Sequence, residues 1–305
     1  MKFFYSIFFI ILVCFASPFV YAQVLDENSM QRSVKVNINS NGDVHVVHVI
    51  KPSNSPHQID LINGTIANLT IKDQEGNEIQ FGTIDNNSFL IFPSNDDIII
   101  EYDMANVLTF EKNVWSWDFL YLESTSFYFP EGVDLVYVND QPAFLADKKG
   151  IICHGCQMKL NYLLNEPRFI KEVKIQNEKF PIEFRTFEDI SNVNFDKDLE
   201  GLKFQIKEGN SFITTTIPTK LISDPFSVQL DNQKILFYKY NENATHVWLN
   251  LRPQHSGEIS ILGILNPDFT KGYQNPLGEF PAELMVVILA GISVAIGVIF
   301  IKRRK

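Results

Sequence analysis

Ser33-Val34-Lys35-Val36-Asn37-Ile38, then Asn41-Gly42-Asp43, then Val44-His45-Val46-Val47-His48-Val49: across this stretch apolar and polar residues alternate on both sides of an Asn-Gly-Asp turn. β-Branched residues at every second position mark a strand with one buried face, and Asn-Gly supplies the positive φ that a tight hairpin needs. The stretch predicts an antiparallel hairpin. Outward from it the pattern recurs in Ile66-Ala67-Asn68-Leu69-Thr70-Ile71, followed by a Glu75-Gly76-Asn77 turn and a run at 79–81. Further runs lie at 88–92, 97–102, 114–122, 133–138 and 143–145. Strands about ten residues apart, with turn residues between them and no long helical period, predict an all-β sandwich or barrel. An N-terminal β domain is expected over residues 23–165.

Within the run at 114–122, Trp115, Trp117, Phe119 and Tyr121 alternate with Ser116, Asp118, Leu120 and Leu122, so one strand face carries four rings. A solvent-facing stripe would resemble a sugar-binding platform. Burying each ring stabilises by about 2 kcal/mol, and Phe127, Phe129 and Tyr137 offer packing partners, so the stripe is expected in the core. Residues 166–201 alternate again at first and then turn polar and acidic; they are expected to form a connecting segment with strands and an acidic loop. Asn192, Asn194, Asp196 and Asp198 fall at every second position there, but a calcium loop of the EF-hand type needs Gly at its sixth position and Glu at its twelfth. Neither is present, and a solvated loop is expected. Residues 202–265 carry six further strand runs, with turns at Gly209-Asn210 and Asp231-Asn232, and form the second β-sandwich-like module.

Both ends of the chain point to a membrane. Met1-Lys2, an apolar run over residues 3–15 and Val20-Tyr21-Ala22 have the layout of a signal peptide, 1–22, cleaved before Gln23. As a helix that run reaches only about 20 Å, short of a hydrocarbon core of roughly 30 Å. Residues 284–301 are eighteen in number and uncharged, and a helix of that length is about 27 Å long. A transmembrane helix is therefore expected over 283–301, after a Pro- and Gly-rich stalk at 266–282. The basic tail Lys302-Arg303-Arg304-Lys305 places the C-terminus in the cytoplasm and the bulk outside, as a type I single-pass protein.

The whole chain of 305 residues carries 26 Lys and Arg against 36 Asp and Glu, a net charge of −10. Setting aside Lys2, the four tail bases and Glu283 leaves 21 bases against 35 acids, about −14 for the external part. Such a surface repels nucleic acid and suits cations or basic partners; besides the membrane, the expected partners are envelope proteins, glycans or cations. Four glycosylation sequons begin at Asn63, Asn68, Asn86 and Asn243, all in the external part.

The run Ile217-Pro218-Thr219-Lys220-Leu221-Ile222, then Pro225-Phe226-Ser227-Val228-Gln229-Leu230-Asp231, then Glu258-Ile259-Ser260-Ile261-Leu262-Gly263, with Gly278-Glu279-Phe280-Pro281 in the stalk, resembles the C-terminal β module and anchor of cell-surface proteins of ammonia-oxidising archaea. Many of those end in a Pro-Glu-Phe-Gly sorting tail; here the order is Gly-Glu-Phe-Pro. The resemblance covers roughly residues 202–305. It implies a displayed archaeal envelope module that brings no enzymatic activity.

Chemistry is offered only by Cys153-His154-Gly155-Cys156. Cys14 leaves with the signal, so these two cysteines are the only ones in the mature chain, and outside the cytoplasm they are expected to pair with each other in a turn. Two other readings stand beside the disulfide. Cys153, His154 and Cys156 are soft ligands that suit copper or zinc, although a structural zinc wants four ligands and the rest would have to come from elsewhere. A thiol-redox pair would need a helix N-terminus, whereas residues 157–163 alternate like a strand. Haem attachment needs His directly after the second Cys, where Gln157 stands. His45 and His48, three apart on a strand, face opposite sides and are expected to be partly exposed. No nucleophile elbow, phosphate-cradling glycine loop or HExxH occurs. The leading expectation is a structural or binding module that is not an enzyme, with an extracytoplasmic metal or redox protein and an exported hydrolase as alternatives.

Overall fold

The computed structural model describes residues 29–145 and 150–267, and all 22 regular elements in them are strands. The expected signal peptide, nearly all of the stalk, the membrane span and the basic tail lie outside the described residues. Among the described ones, no helix is long and apolar enough to cross a membrane. The chain divides into two compact units, Met1–Asn165 and Glu166–Lys305.

The first unit contains β1 (Gln31–Ile38), β2 (Val44–Ile50), β3 (His57–Asp60), β4 (Thr65–Asp73), β5 (Phe81–Thr83), β6 (Ser88–Ile91), β7 (Ile98–Ala105), β8 (Thr109–Glu111), β9 (Val114–Tyr128), β10 (Leu135–Val138), β11 (Gln141–Phe144) and β12 (Gly150–Leu163). Nine of these form one sheet in the order β11, β10, β12, β9, β1, β2, β7, β4, with β8 alongside β9; β3, β6 and β5 form a smaller sheet. The hairpin read from the opening stretch is present: β1 and β2 run antiparallel with Ile38 opposite Val44, and Gly42 takes φ +82° in the turn. The other side of β1 pairs in parallel with β9. The second predicted hairpin does not form in full. After Glu75-Gly76-Asn77 the chain makes a single bridge, Lys72 to Glu78, and then crosses to the small sheet, where Phe81 meets Phe89 edge-on at 5.7 Å.

Alternation places Val34, Val36, Val44, Val46, Ile98 and Ile100 of the large sheet in one core with Ile59, Phe89 and Ile91 of the small sheet. Trp117, Phe119 and Tyr121 are buried in that core and Trp115 is half-buried. Phe127 packs edge-on against both Trp117 and Phe119, at 5.9 and 4.8 Å, the geometry the ring quadrupoles favour.

The second unit contains β13 (Arg168–Ile175), β14 (Glu178–Arg185), β15 (Ile190–Asp196), β16 (Gly201–Ile206), β17 (Ile213–Pro218), β18 (Ile222–Leu230), β19 (Gln233–Lys234), β20 (Phe237–Glu242), β21 (His246–Leu251) and β22 (Gly257–Leu265). They form two five-stranded sheets, ordered β13-β14-β17-β21-β20 and β15-β16-β22-β18-β19. Phe184, Ile213, Ile217 and Leu249 of the first share a core with Phe204, Val228, Ile259 and Ile261 of the second, an arrangement consistent with the β-sandwich class.

Residues 166–201, expected to connect two domains with strands and an acidic loop, fall within the second unit and supply three strands of its sheets, β15 running through much of the expected loop. The acidic composition conceals an alternation: Ile190 is buried, and Val193 and Phe195 pack against the core while Asn192 and Asn194 face water. Asn192 adopts φ +51° within a bulge, and the Asp196 carboxylate lies 3.1 Å from Lys203 Nζ.

Candidate functional site

Cys153 and Cys156 form a disulfide, with their Cα atoms 6.0 Å apart. The pair lies inside β12 rather than in a turn. In a regular strand residues three apart point to opposite faces, so two such sulfurs could not meet. Gly155 removes the obstacle. It adopts φ +63°, and the register with β9 shifts there: Cys153 lies opposite Thr125, His154 opposite Ser124 and Cys156 opposite Tyr121. One residue of β12 thus answers two of β9, Leu122 and Glu123, and this bulge turns both cysteines toward the core. His154 goes the other way. It is exposed, with Nδ1 3.1 Å from Ser124 Oγ. The three residues read as metal ligands therefore do not converge on one side of the strand, and the disulfide occupies both sulfur atoms.

Next to this bulge lies a buried polar ring that the sequence reading missed. His48 is 0% exposed, not partly exposed as expected. It falls in phase with Val44, Val46 and Ile50, and that phase was the available signal. Its Nδ1 lies 2.6 Å from Gln31 Oε1 and its Nε2 3.0 Å from the Tyr102 hydroxyl. Gln31 Nε2 in turn donates to the Tyr121 hydroxyl at 2.7 Å and faces the Asp60 carbonyl at 3.4 Å. A carbonyl can only accept, so the Gln31 amide orientation is set and His48 Nδ1 must carry the proton. Tyr102 accepts from the Ile62 backbone N–H at 3.2 Å and gives its own proton to His48 Nε2. Tyr121 gives its proton to the Asp60 carbonyl at 2.6 Å.

Every donor and acceptor in the ring is thereby assigned: Ile62 N–H to Tyr102, Tyr102 to His48, His48 to Gln31, Gln31 to Tyr121, Tyr121 to Asp60 C=O. The ring leaves the corner between β3 and β4 and returns to it two residues away. Burial drives the His48 pKa down to about 3 and raises both phenols above their usual range, so all members are neutral.

That corner borders a groove of about 740 Å³ whose lining includes Asp60, Leu61, Asn63, Asp85, Asn86 and Ser88. Asp60 turns its carboxylate to Gln58 Nε2 and Ser88 Oγ, both at 2.7 Å; these two hydrogen bonds, Gln58 first, hold it below the ordinary carboxylate range. A second groove, of about 480 Å³, includes Asp43, His45 and Asp103. Asp103 takes a hydrogen bond from Asn68 Nδ2 at 2.8 Å and sits 2.9 Å from His45 Nδ1, and both interactions lower its pKa. The sequon residues Asn63, Asn68, Asn86 and Asn243 are all exposed. Asn63 and Asn86 flank the larger groove, while the Asn243 side-chain oxygen accepts the backbone N–H groups of Thr245 and His246. Among the described residues no group of three or more His, Cys, Asp or Glu side chains is placed to hold a metal ion.

No family model matches this chain, and no curated protein matches it. Among solved structures, an aminopeptidase N family protein from Idiomarina loihiensis is similar over 48% of this chain, with 10% identity and a TM-score of 0.33. The similarity spans 31% of that protein's length.

Proposed function

We propose that this chain is a single-span surface protein whose two β-sandwich-like domains stand outside the membrane as a structural or binding module of the cell envelope. The observation that carries the reading is the Cys153–Cys156 disulfide. Pairing of this kind persists in oxidising compartments and is rare where thioredoxin and glutathione keep thiols reduced. The apolar segments at both ends of the chain, the basic tail behind the second and the exposed sequons support the same side of the membrane. So does the acidic external surface, whose partners are envelope proteins, glycans or cations. Binding belongs to the loops and grooves, which vary freely on such scaffolds while the sheets hold them in place.

Trapping thiols by acid quench and alkylation in cells that express the full chain tests this reading. Cys153 and Cys156 are expected to resist alkylation until a reductant is added. Free thiols in the cell, together with about one equivalent of copper or zinc on the purified chain that is lost in Cys153→Ser, would overturn it in favour of an extracytoplasmic metal protein.

A further inference from the structure

The ring of hydrogen bonds around His48 has a direction, and that direction leaves no room for a second proton on the imidazole. We infer that protonation of His48 is a switch that frees the Asp60–Ile62 corner and reshapes the groove it borders. In the closed ring Nε2 is the acceptor for the Tyr102 hydroxyl, and the Tyr102 oxygen already receives the Ile62 N–H. A proton on Nε2 faces that oxygen with a third hydrogen and leaves the phenolic proton without its acceptor. The resulting cation is also fully buried. Its neighbours from the packed strands are Gln31 of β1, Tyr102 of β7 and Tyr121 of β9, all neutral. Asp60, at the end of β3, points its carboxylate at Gln58 and Ser88; Glu123, beyond Tyr121, accepts from Ser29; Lys51, just past β2, donates to the Ser29 carbonyl. None of these charged groups hydrogen-bonds to the imidazole.

Relief comes where the ring is anchored outside the large sheet. Ile62 N–H, bonded to Tyr102, and Asp60 C=O, which accepts from both Tyr121 and Gln31, tie it to the corner, so releasing those three bonds lets the corner lift and water reach His48. In the lifted state the imidazole regains its ordinary affinity, near 6.5. The sign follows from linkage: the lifted state binds a proton that the closed state refuses, so acid favours lifting. Above about 6.5 the equilibrium is flat, and each pH unit below it multiplies lifting about tenfold until the closed state also titrates.

Amide hydrogen exchange of the full chain in detergent micelles between pH 8 and pH 4, corrected for the intrinsic pH dependence, tests this. Protection of residues 58–66 is expected to be level down to about pH 6.5 and then to fall about tenfold per unit, while residues 98–105 of β7 stay protected. His48→Gln and His48→Leu cannot take up the proton and are expected to show no such slope, whatever their protection at pH 8. Level protection of 58–66 down to pH 4 overturns the proposal. So does loss in step with 98–105, which is global unfolding, or a slope that survives in either variant. If neither variant folds, the wild-type comparison of the two segments decides.

Discussion

Thr215 faces the core of the second unit from the middle of β17, between Phe184 on one neighbouring strand and Leu249 on the other, and it is fully buried. Among the described residues its hydroxyl has no hydrogen-bond partner. An unpaired buried hydroxyl costs about 1–3 kcal/mol, and valine has nearly the same shape. Thr215→Val is therefore expected to stabilise the second unit by about 1 kcal/mol, seen as a higher denaturant midpoint at unchanged slope; a lower midpoint would show that the hydroxyl is satisfied. His48 is the opposite case, a buried polar group with both ring nitrogens engaged. The aromatic stripe at Trp117, Phe119 and Tyr121 was legible from alternation because its burial depends on ring area alone. The burial of His48 depends on Gln31, Tyr102 and Tyr121, which alternation cannot bring together from three other strands. Its phase was visible in the sequence; its partners were not.

The bulge of β9 opposite Gly155 of β12 is a device of the strand pair rather than of any single side chain. Left-handed Gly155 packs so closely on β9 that a Cβ there would collide with the Leu122 carbonyl oxygen. A left-handed residue with a side chain costs about 1–2 kcal/mol before any collision is counted. Gly155→Ala is accordingly expected to destabilise the first unit by about 2 kcal/mol or more and to leave a measurable fraction of Cys153 and Cys156 alkylatable after oxidation. Complete oxidation with unchanged stability would contradict the role given to the bulge. The alternation of residues 157–163 made the strand legible. The reversal of phase at Gly155 was not, because Cys-His-Gly-Cys suits a turn and a bulge equally well, and only the register with β9 separates them.

For the whole molecule, the all-β class was readable from hairpin turns and period-two runs. The role of residues 166–201 was not. Asp189, Asp198 and Glu200 are exposed and make the segment read as a polar loop, while Ile190 is buried and Val193 and Phe195 pack against the core. The two β units and their disulfide then acquire a cellular meaning only through orientation, which the apolar ends of the sequence argue and proteolysis can measure. Intact cells expressing the full chain, treated with trypsin and followed by mass spectrometry of the released peptides, test the outward placement most directly. Release of peptides from both units, residues 29–265, with cytoplasmic marker proteins left whole, is the expected result; recovery of those peptides only after the cells are lysed would contradict it.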